Sequence, residues 1–371
     1  MVVMVGVDVH KDTHCAVAVD EAGRQLGRSV TVRATDAGHR QLLAWADRVV
    51  PGGVAVFAVE DCRHLSVRLE RALLGAGCTV VRVPPKLMAQ TRASARTRGK
   101  SDPIDALAVA RAAVREPDLP RAEHTHASRQ VRLLVDHRED LVGERTRMQN
   151  RLRWHLHELD PELDPAARGL DRRCELDRVT ARLGELAALS TGRAPAGGVG
   201  AAAGTVTQTM LRIAAELVAD ITALTTRINA LEKELTALVR AHTPQLLALP
   251  GCGALSAAKL IGETANPARF AREARFAMHA GVAPIPASSG RTSRHRLARG
   301  GNRQLNAALH RIAVTQIRLD GPGRAYYQRR RAQGDTSMEA LRALKRRLAR
   351  VVFTLLRPTN TATGTCAPAA A

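Results

Sequence analysis

Four carboxylates in the N-terminal third have the residue type and spacing of a divalent-metal site. Asp8 interrupts the apolar, β-branched run Val2–Val9, and Glu60 closes a second run, Val54–Glu60. Asp102 and Asp105 open a helical pattern in Lys100-Ser101-Asp102-Pro103-Ile104-Asp105-Ala106. Pro103 suits a first helical turn, so Asp102 is the expected N-cap, and the i, i+3 spacing puts both aspartates on one helix face. One aspartate at a strand end is ordinarily a turn residue, and one before a helix is ordinarily a cap. The set of four is what points to chemistry, because a carboxylate inside an apolar strand is costly unless paired or metal-bound. Hard oxygen ligands suit Mg²⁺ or Mn²⁺, held in pairs roughly 4 Å apart around a phosphodiester.

The elements that must position these groups alternate strand and helix. Strands are expected at Val2–Val9, Cys15–Val19 and Ser29–Arg33, joined by polar turns at 11–13 and 20–24, so the first three are hairpin-linked. A helix over 37–49, a buried strand at Val54–Glu60, a helix near 65–76, a strand at Cys78–Val83 and the helix opened by Asp102 complete the series. That order, three antiparallel strands followed by alternating helix and strand, is the order of a ribonuclease H-like fold. Adjacent central strands would then bring Asp8 and Glu60 side by side.

Residues 126–243 show two long amphipathic patterns, with Leu134, Leu141, Met148, Leu152 and Leu156 in one and Ile213, Leu217, Ile221, Leu224 and Ile228 in the other. They read as an antiparallel coiled-coil arm interrupted at about 161–204 by a flexible, Pro/Gly/Ala-rich insertion. A smaller helical domain is expected over 244–356 and a disordered tail over 357–371, after an α/β domain over 1–125.

The chain has 371 residues, with 56 Lys+Arg against 35 Asp+Glu and a formal charge of +21. Such an excess points to a polyanion, most often nucleic acid. Aromatics are only 2% of the chain, which argues against folds that stack bases on aromatic platforms. Six scattered cysteines without a Cys-x-x-Cys pair exclude a zinc ribbon and a disulfide framework and fit a reducing cytoplasm. No apolar run approaches the roughly 18–20 residues of a membrane span, so no membrane partner is expected.

The C-terminal third concentrates the charge. Between Arg291 and Arg350 stand 16 basic residues against 3 acidic ones, a surface suited to phosphates. Leu249-Pro250-Gly251-Cys252-Gly253 before an apolar helix reads as a helix–hairpin–helix turn, where Gly251 and Gly253 would present backbone N–H groups to a phosphate. Arg96, Arg98 and Lys100, beside the acidic set, would guide a backbone toward the metals. Gly99-Lys100-Ser101 resembles the end of a Walker A loop, but Ser94 stands where the first glycine belongs. Tyr326 and Tyr327 suit either stacking on a base or the core, with the core favoured. Arg291, Arg294, Arg296, Arg299 and Arg303 flank a Ser288-Ser289-Gly290 turn that composition alone marks as an exposed basic loop.

Gly6-Val7-Asp8-Val9-His10-Lys11, the Val59-Glu60 strand end and the Lys100–Ala106 segment together resemble the DEDD transposases of insertion sequences. The N-terminal domain of those enzymes is similar to the RuvC Holliday-junction resolvase, and the group includes the Piv/MooV invertases. The likeness runs from residue 4 to about 355, and the Ser-Gly motif, basic stretch and Gly301-Asn302-Arg303 continue it. It implies a recombinase in which Asp8, Glu60, Asp102 and Asp105 hold Mg²⁺ or Mn²⁺. It also implies that Ser289, or its neighbour Ser288, attacks the phosphodiester and becomes joined to DNA. A structured guide RNA encoded by the element and assembly as a dimer or tetramer are further implications. Because serine and carboxylates lie far apart in sequence, a shared site needs the arm to fold back or a second protomer to contribute. Two rival readings remain open: a RuvC-like junction endonuclease that hydrolyses with water, and a non-catalytic nucleic-acid scaffold.

Overall fold

The computed structural model describes residues 2–61, 65–93, 101–123, 125–191, 199–288, 295–296, 298 and 300–357. Contacts divide the chain into two units: Met1–Arg129 with Leu249–Gly251 and Glu263–Ala371, and Gln130–Ala248 with Cys252–Gly262.

The first unit begins with β1 (Val2–Val9), β2 (Thr13–Val19), β3 (Gln25–Arg33), α1 (Asp36–Val49), β4 (Val54–Glu60), α2 (Val67–Gly75), β5 (Thr79–Val83), α3 (Pro85–Ala93) and α4 (Asp102–Arg115). The sheet runs β3-β2-β1-β4-β5. β1–β2 and β2–β3 pair antiparallel, while β1–β4 and β4–β5 pair parallel. Three antiparallel strands followed by two parallel ones match the expected element order. The β2–β3 turn is tight because the Asp20 carboxylate accepts from the Ala22 and Arg24 N–H groups and Gly23 takes φ +75°. β3 starts four residues earlier than its alternation suggested, since residues 25–29 lie on a mostly exposed edge that leaves no apolar pattern.

Alternation along β1 divides its side chains between two layers. Val3, Val5, Val7 and Val9 join Leu42 and Trp45 of α1, Phe57 of β4, and Leu69 and Leu73 of α2 in one core. On the opposite face α4 packs Ala106 and Ala110 against Cys15, Val17 and Val19, with Met4 against them. Each buried Val or Leu contributes on the order of 1.5–3 kcal/mol, so the sheet is held from both sides.

His14 of β2 and His39 of α1 stack inside the first layer, with ring centroids 5.4 Å apart and Nε2 atoms 3.3 Å apart. Burial, with the neighbouring His39 charge second, pushes His14 down to about 4. The folded protein therefore keeps His14 neutral while the unfolded chain takes up its proton below about pH 6.5. Stability is full above that value and falls as pH drops toward 4, by at most about 3 kcal/mol from this residue. Melting curves between about pH 7 and pH 5 should show a steeper loss for the native chain than for His14→Phe. Parallel slopes would exclude this contribution.

The second unit contains most of α5 (His126–Leu159), α6 (Arg173–Thr191), α7 (Val199–His242) and most of α8 (Ala254–Thr264). α5 and α7 run antiparallel: Arg138 pairs with Glu232 at 2.7 Å, Arg145 donates to Thr225 at 3.2 Å, and Leu141 packs with Leu224 and Ile228. The expected flexible insertion at 161–204 is corrected here. Leu163, Leu170, Leu176, Val179 and Leu183 are buried against Leu152 and Leu156 of α5 and Leu211, Leu217 and Ile221 of α7. α6 thus packs with α5 and α7 in one core, and its Ala- and Gly-diluted pattern hid an apolar stripe that only the neighbouring helices reveal. Of that stretch, 192–198 lie outside the described residues. Within this unit the buried Lys259 of α8 pairs with Glu139 at 2.8 Å.

Beyond Glu263 the first unit resumes with α9 (Glu273–His279), the two-residue strands β6 (Ile285–Pro286) and β7 (His295–Arg296), α10 (Arg303–Arg318), α11 (Pro322–Ala332) and α12 (Ser337–Leu356). Most of the domain expected over 244–356 groups by its contacts with the N-terminal segment. Arg269 donates to the Arg121 carbonyl at 3.2 Å and Arg275 pairs with Asp118, contacts across more than a hundred residues that no local pattern announces. α12 is started by a capping box between Thr336 and Glu339 and buries Leu341, Leu344, Leu348, Val352 and Phe353. Tyr326 and Tyr327 are not core, which corrects their reading: α11 buries no residue, and Arg329 and Arg347 lie 5.4 and 5.1 Å from the Tyr326 ring centroid. The four described cysteines, Cys15, Cys78, Cys174 and Cys252, are free thiols. Among the described residues no helix is long and apolar enough to cross a membrane. The tail beyond 357 lies outside the described residues.

Candidate functional site

Asp8 occupies the last turn of alternation in β1 and projects on the α4 side of the sheet. What brings α4 there is Gly6, on the same face two residues earlier. A Cβ at Gly6 would lie 2.2 Å from the Ala106 carbonyl oxygen and 2.4 Å from the Ala110 nitrogen, so the helix backbone rests directly on the strand. That approach sets the first turn of α4, with Asp102 and Asp105, against the end of β1.

The start of the helix differs from expectation. Ser101, with extended φ −153°, is the N-cap and Asp102 is the first helical residue. No side chain caps the turn; the Asp105 N–H donates to the Ser101 carbonyl at 3.0 Å. Asp102 is therefore turned outward, where it meets His10. His10 Nε2 lies 3.0 Å from Asp8 Oδ2 and 3.5 Å from Asp102 Oδ1. Among the described residues, Asp8, His10 and Asp102 form the group whose ligand atoms all lie within 4.8 Å of one another. Asp8 is buried, whereas His10 and Asp102 are about half exposed, so the group opens to solvent on one side.

Asp105, buried one helical turn on, and Glu60 stand outside that tight trio. Glu60 follows the registered pair Val7↔Val59, so β4 carries it alongside Asp8. The electrostatics tie the set together. Burial lifts the Asp8 carboxyl above the usual range, His10 partly offsets this, and the charges of Asp105 and Asp102 raise it further. Cys15, paired with Asp8 across β1–β2, is pushed up chiefly by burial and also by the Asp102 and Asp8 charges. A divalent cation would relieve this crowding, and two carboxylates with one imidazole are a donor set that Mg²⁺ or, better with nitrogen, Mn²⁺ accepts.

His10 was missed as a site residue although its signal was present: it stands at i+2 from Asp8, on the face that strand alternation assigns to both. Gly6 carried no such signal, because its role depends on a helix a hundred residues away.

The serine loop is held at its base. Gly281 has φ +66°, and a Cβ at Gly301 would lie 2.2 Å from the Gly281 nitrogen, so the two ends of the loop cross with no room for a side chain. Asn302 caps α10 by accepting from the Gln304 and Leu305 N–H groups, and its amide donates to Glu263 at 2.7 Å. Asn306 donates to the Gly281 carbonyl at 2.9 Å. From this base β6 and β7 pair, Ile285 with Arg296 and Pro286 with His295, and lead to an exposed Ser288. Ser289, Arg291, Arg294 and Arg299 lie outside the described residues, as do Arg96, Arg98 and Lys100. Arg303 is exposed at the first turn of α10. Gly251 takes φ +79°, and the space where its Cβ would lie is bounded by Ile312 and Thr315 of α10, a packing reason for that glycine.

Comparison with known proteins matches both parts of the chain. Residues 5–161 match the family model of the IS110 DEDD transposase, and residues 244–328 match the transposase IS116/IS110/IS902 family. The chain is 30% identical over 393 residues to the insertion element IS900 uncharacterized 42 kDa protein of Mycobacterium paratuberculosis, covering 96% of each. It is 28% identical over 383 residues to the insertion element IS116 uncharacterized 44.8 kDa protein of Streptomyces clavuligerus, covering 96% of this chain and 94% of the relative. It is also 30% identical to the insertion element IS110 uncharacterized 43.6 kDa protein of Streptomyces coelicolor. A solved structure of T. thermophilus RuvC in complex with a Holliday junction substrate aligns over 32% of this chain and 95% of that chain, at 17% identity and a TM-score of 0.25.

Proposed function

This chain belongs to the IS116/IS110/IS902 family of insertion-sequence transposases, and from that premise we propose that it cuts and rejoins DNA strands with a serine nucleophile assisted by a divalent metal. The observation that carries the metal half is the convergence of Asp8, His10 and Asp102 at the end of β1. Asp8 and Asp102 would hold Mg²⁺ or Mn²⁺, with Asp105 and Glu60 completing the set of carboxylates. Such an ion supplies Lewis-acid polarisation of a phosphoryl oxygen and stabilises charge on the leaving oxygen. His10 Nε2 lies 3.0 Å from Asp8 Oδ2, and the same nitrogen would serve the ion as a third donor.

The serine half is supported by the way the loop is held. Crossed glycines and the Asn302 and Asn306 contacts hold the base of the hairpin, from which Ser288 stands exposed. In the reaction we propose, the Oγ of Ser289 (or Ser288) bonds to phosphorus. The phosphorus–oxygen bond to the departing strand breaks, and the serine proton leaves with the freed hydroxyl. The phosphoserine link conserves the bond, so a hydroxyl of another strand can reverse the step without ATP. The basic segments would track the DNA backbone. A structured RNA encoded by the element would supply target choice by pairing, since no base-reading module is evident. A dimer or tetramer would allow one protomer's serine to serve another's carboxylates.

The test is a trapped adduct. Incubated with Mn²⁺, a plasmid carrying the element's ends and the transcript of its noncoding segment, the native chain should yield a covalent protein–DNA species on a denaturing gel. Ser289→Ala, or Ser288→Ala if that is the attacking residue, should abolish it. An adduct that survives in the double variant removes serine from the mechanism. Undiminished nicking without any adduct would instead establish a RuvC-like hydrolysis by water.

A further inference from the structure

Beside the β6–β7 stem lies a cavity of about 410 Å³ walled by Pro284 and Arg296 of the hairpin and by Tyr326, Arg330, Arg342 and Lys345 of α11 and α12. Its acids are already engaged. Asp335 accepts from Arg330 at 2.6 Å, and Glu339 accepts from the N–H and hydroxyl of Thr336 in the capping box. Arg346, also at the wall, is held by Glu273. The remaining cations are not balanced in this way. Lys345 is only 7% exposed, and its Nζ donates at 2.6 Å to the Asn306 amide oxygen, a neutral acceptor. Among the described residues no carboxylate forms an ion pair with Lys345, Arg342 or Arg296. Burial and the Arg342 charge hold the Lys345 ammonium below the ordinary lysine range. A buried ammonium paired with no described carboxylate, facing a cavity with two further arginines, is the complement of an anion.

We propose that this cavity seats a phosphate of a DNA strand laid along the β6–β7 hairpin, bound by Arg296, Arg342 and Lys345. Placement supports a backbone phosphate over a free one. Arg296 is on the paired stem, opposite Ile285. Ser288 lies two residues beyond Pro286, roughly 7 Å at strand rise, a short step from the stem. Asn306 links the cavity to the loop base, because the side chain that accepts from Lys345 also donates to the Gly281 carbonyl. The assignment of DNA rests on the function proposed above; that of phosphate does not.

The experiment has two arms on the full-length chain. In the first, inorganic phosphate at constant ionic strength should raise the melting temperature of the native protein above its value in chloride. Arg342→Gln should weaken that response, Arg342→Gln/Lys345→Met should lose it, and Lys345→Arg, which keeps the charge and guards against a folding artefact, should retain it. In the second, the slope of log affinity against log salt for a DNA strand should fall by about one for each charge removed. A full phosphate response in the double variant overturns the site. Loss of affinity confined to an RNA strand of the same sequence overturns the DNA assignment. If the native chain forms no serine adduct while both arms behave as expected, the cavity stands and the serine mechanism is what fails.

Discussion

Asp8→Asn is expected to leave a folded, DNA-binding protein whose strand cleavage has dropped by at least about 10³-fold. The substitution keeps the shape of the side chain and its contact with His10 but removes the one buried charge of the proposed cation-binding trio. Metal-assisted stabilisation of a phosphoryl transition state amounts to several kcal/mol, and each ~1.4 kcal/mol is a factor of ten. The same change should make the metal-free protein more stable, not less. Burial and the nearby Asp102 and Asp105 charges already oppose ionisation of Asp8, so its carboxylate is maintained at a cost that asparagine does not incur. Two readings check this together. Mn²⁺ should raise the melting temperature of the native chain and not of Asp8→Asn. Cleavage should fall while affinity for DNA, set by the basic segments, stays within a few-fold. A variant that cleaves at the native rate would remove Asp8 from the site.

Gly6→Ala is expected to damage activity nearly as severely, although Gly6 bears no functional group. An added Cβ would sit 2.2 Å from a backbone oxygen and 2.4 Å from a backbone nitrogen of α4, and neither can yield as a flexible side chain does. Overpacking of this kind costs about 1–3 kcal/mol, sometimes more, as the helix is pushed off the strand. A displacement near 1 Å carries Asp102 and Asp105 with it, and misplacement on that scale is worth about 10²-fold in rate. The control is the same chemical change where there is room. Gly184 lies within α6 with nothing inside 4 Å of its Cβ position, so Gly184→Ala should stabilise by up to about 1 kcal/mol through helix propensity. Chemical denaturation and a cleavage assay on both variants decide the matter. A native-like Gly6→Ala would show that α4 does not rest on β1 as described.

Much of the site was legible in the chain because strand and helix periods are local. Apolar alternation marked β1, and the polar breaks around it forecast the hairpins and the sheet order. A carboxylate in an apolar run stood out against its surroundings at Asp8, and Pro103 located the start of α4 to within one residue. The single error there has a physical source: serine and aspartate both suit an N-cap, and only the extended φ of Ser101 shows which one holds that position. The linker reading of 161–204 failed for a related reason. Alanine and glycine dilute an amphipathic pattern, yet a few leucines suffice when two helices already offer them an apolar groove.

Residue types and their periodicity alone therefore determined the strongly basic character of this protein, the order of its N-terminal elements and the acids that end them. Tertiary structure decided that His10 joins Asp8 and Asp102, that Gly6 must have no side chain, and that the helices after Glu263 group with the N-terminal segment. It also placed Lys345 in a cavity wall where, among the described residues, no carboxylate pairs with it. Each of these is a contact between segments far apart in the chain, set by which surfaces close together when apolar faces are buried. No repeat of two or 3.6 residues encodes such a meeting, because it depends on the distance between two backbones and not on the order of residues along either one.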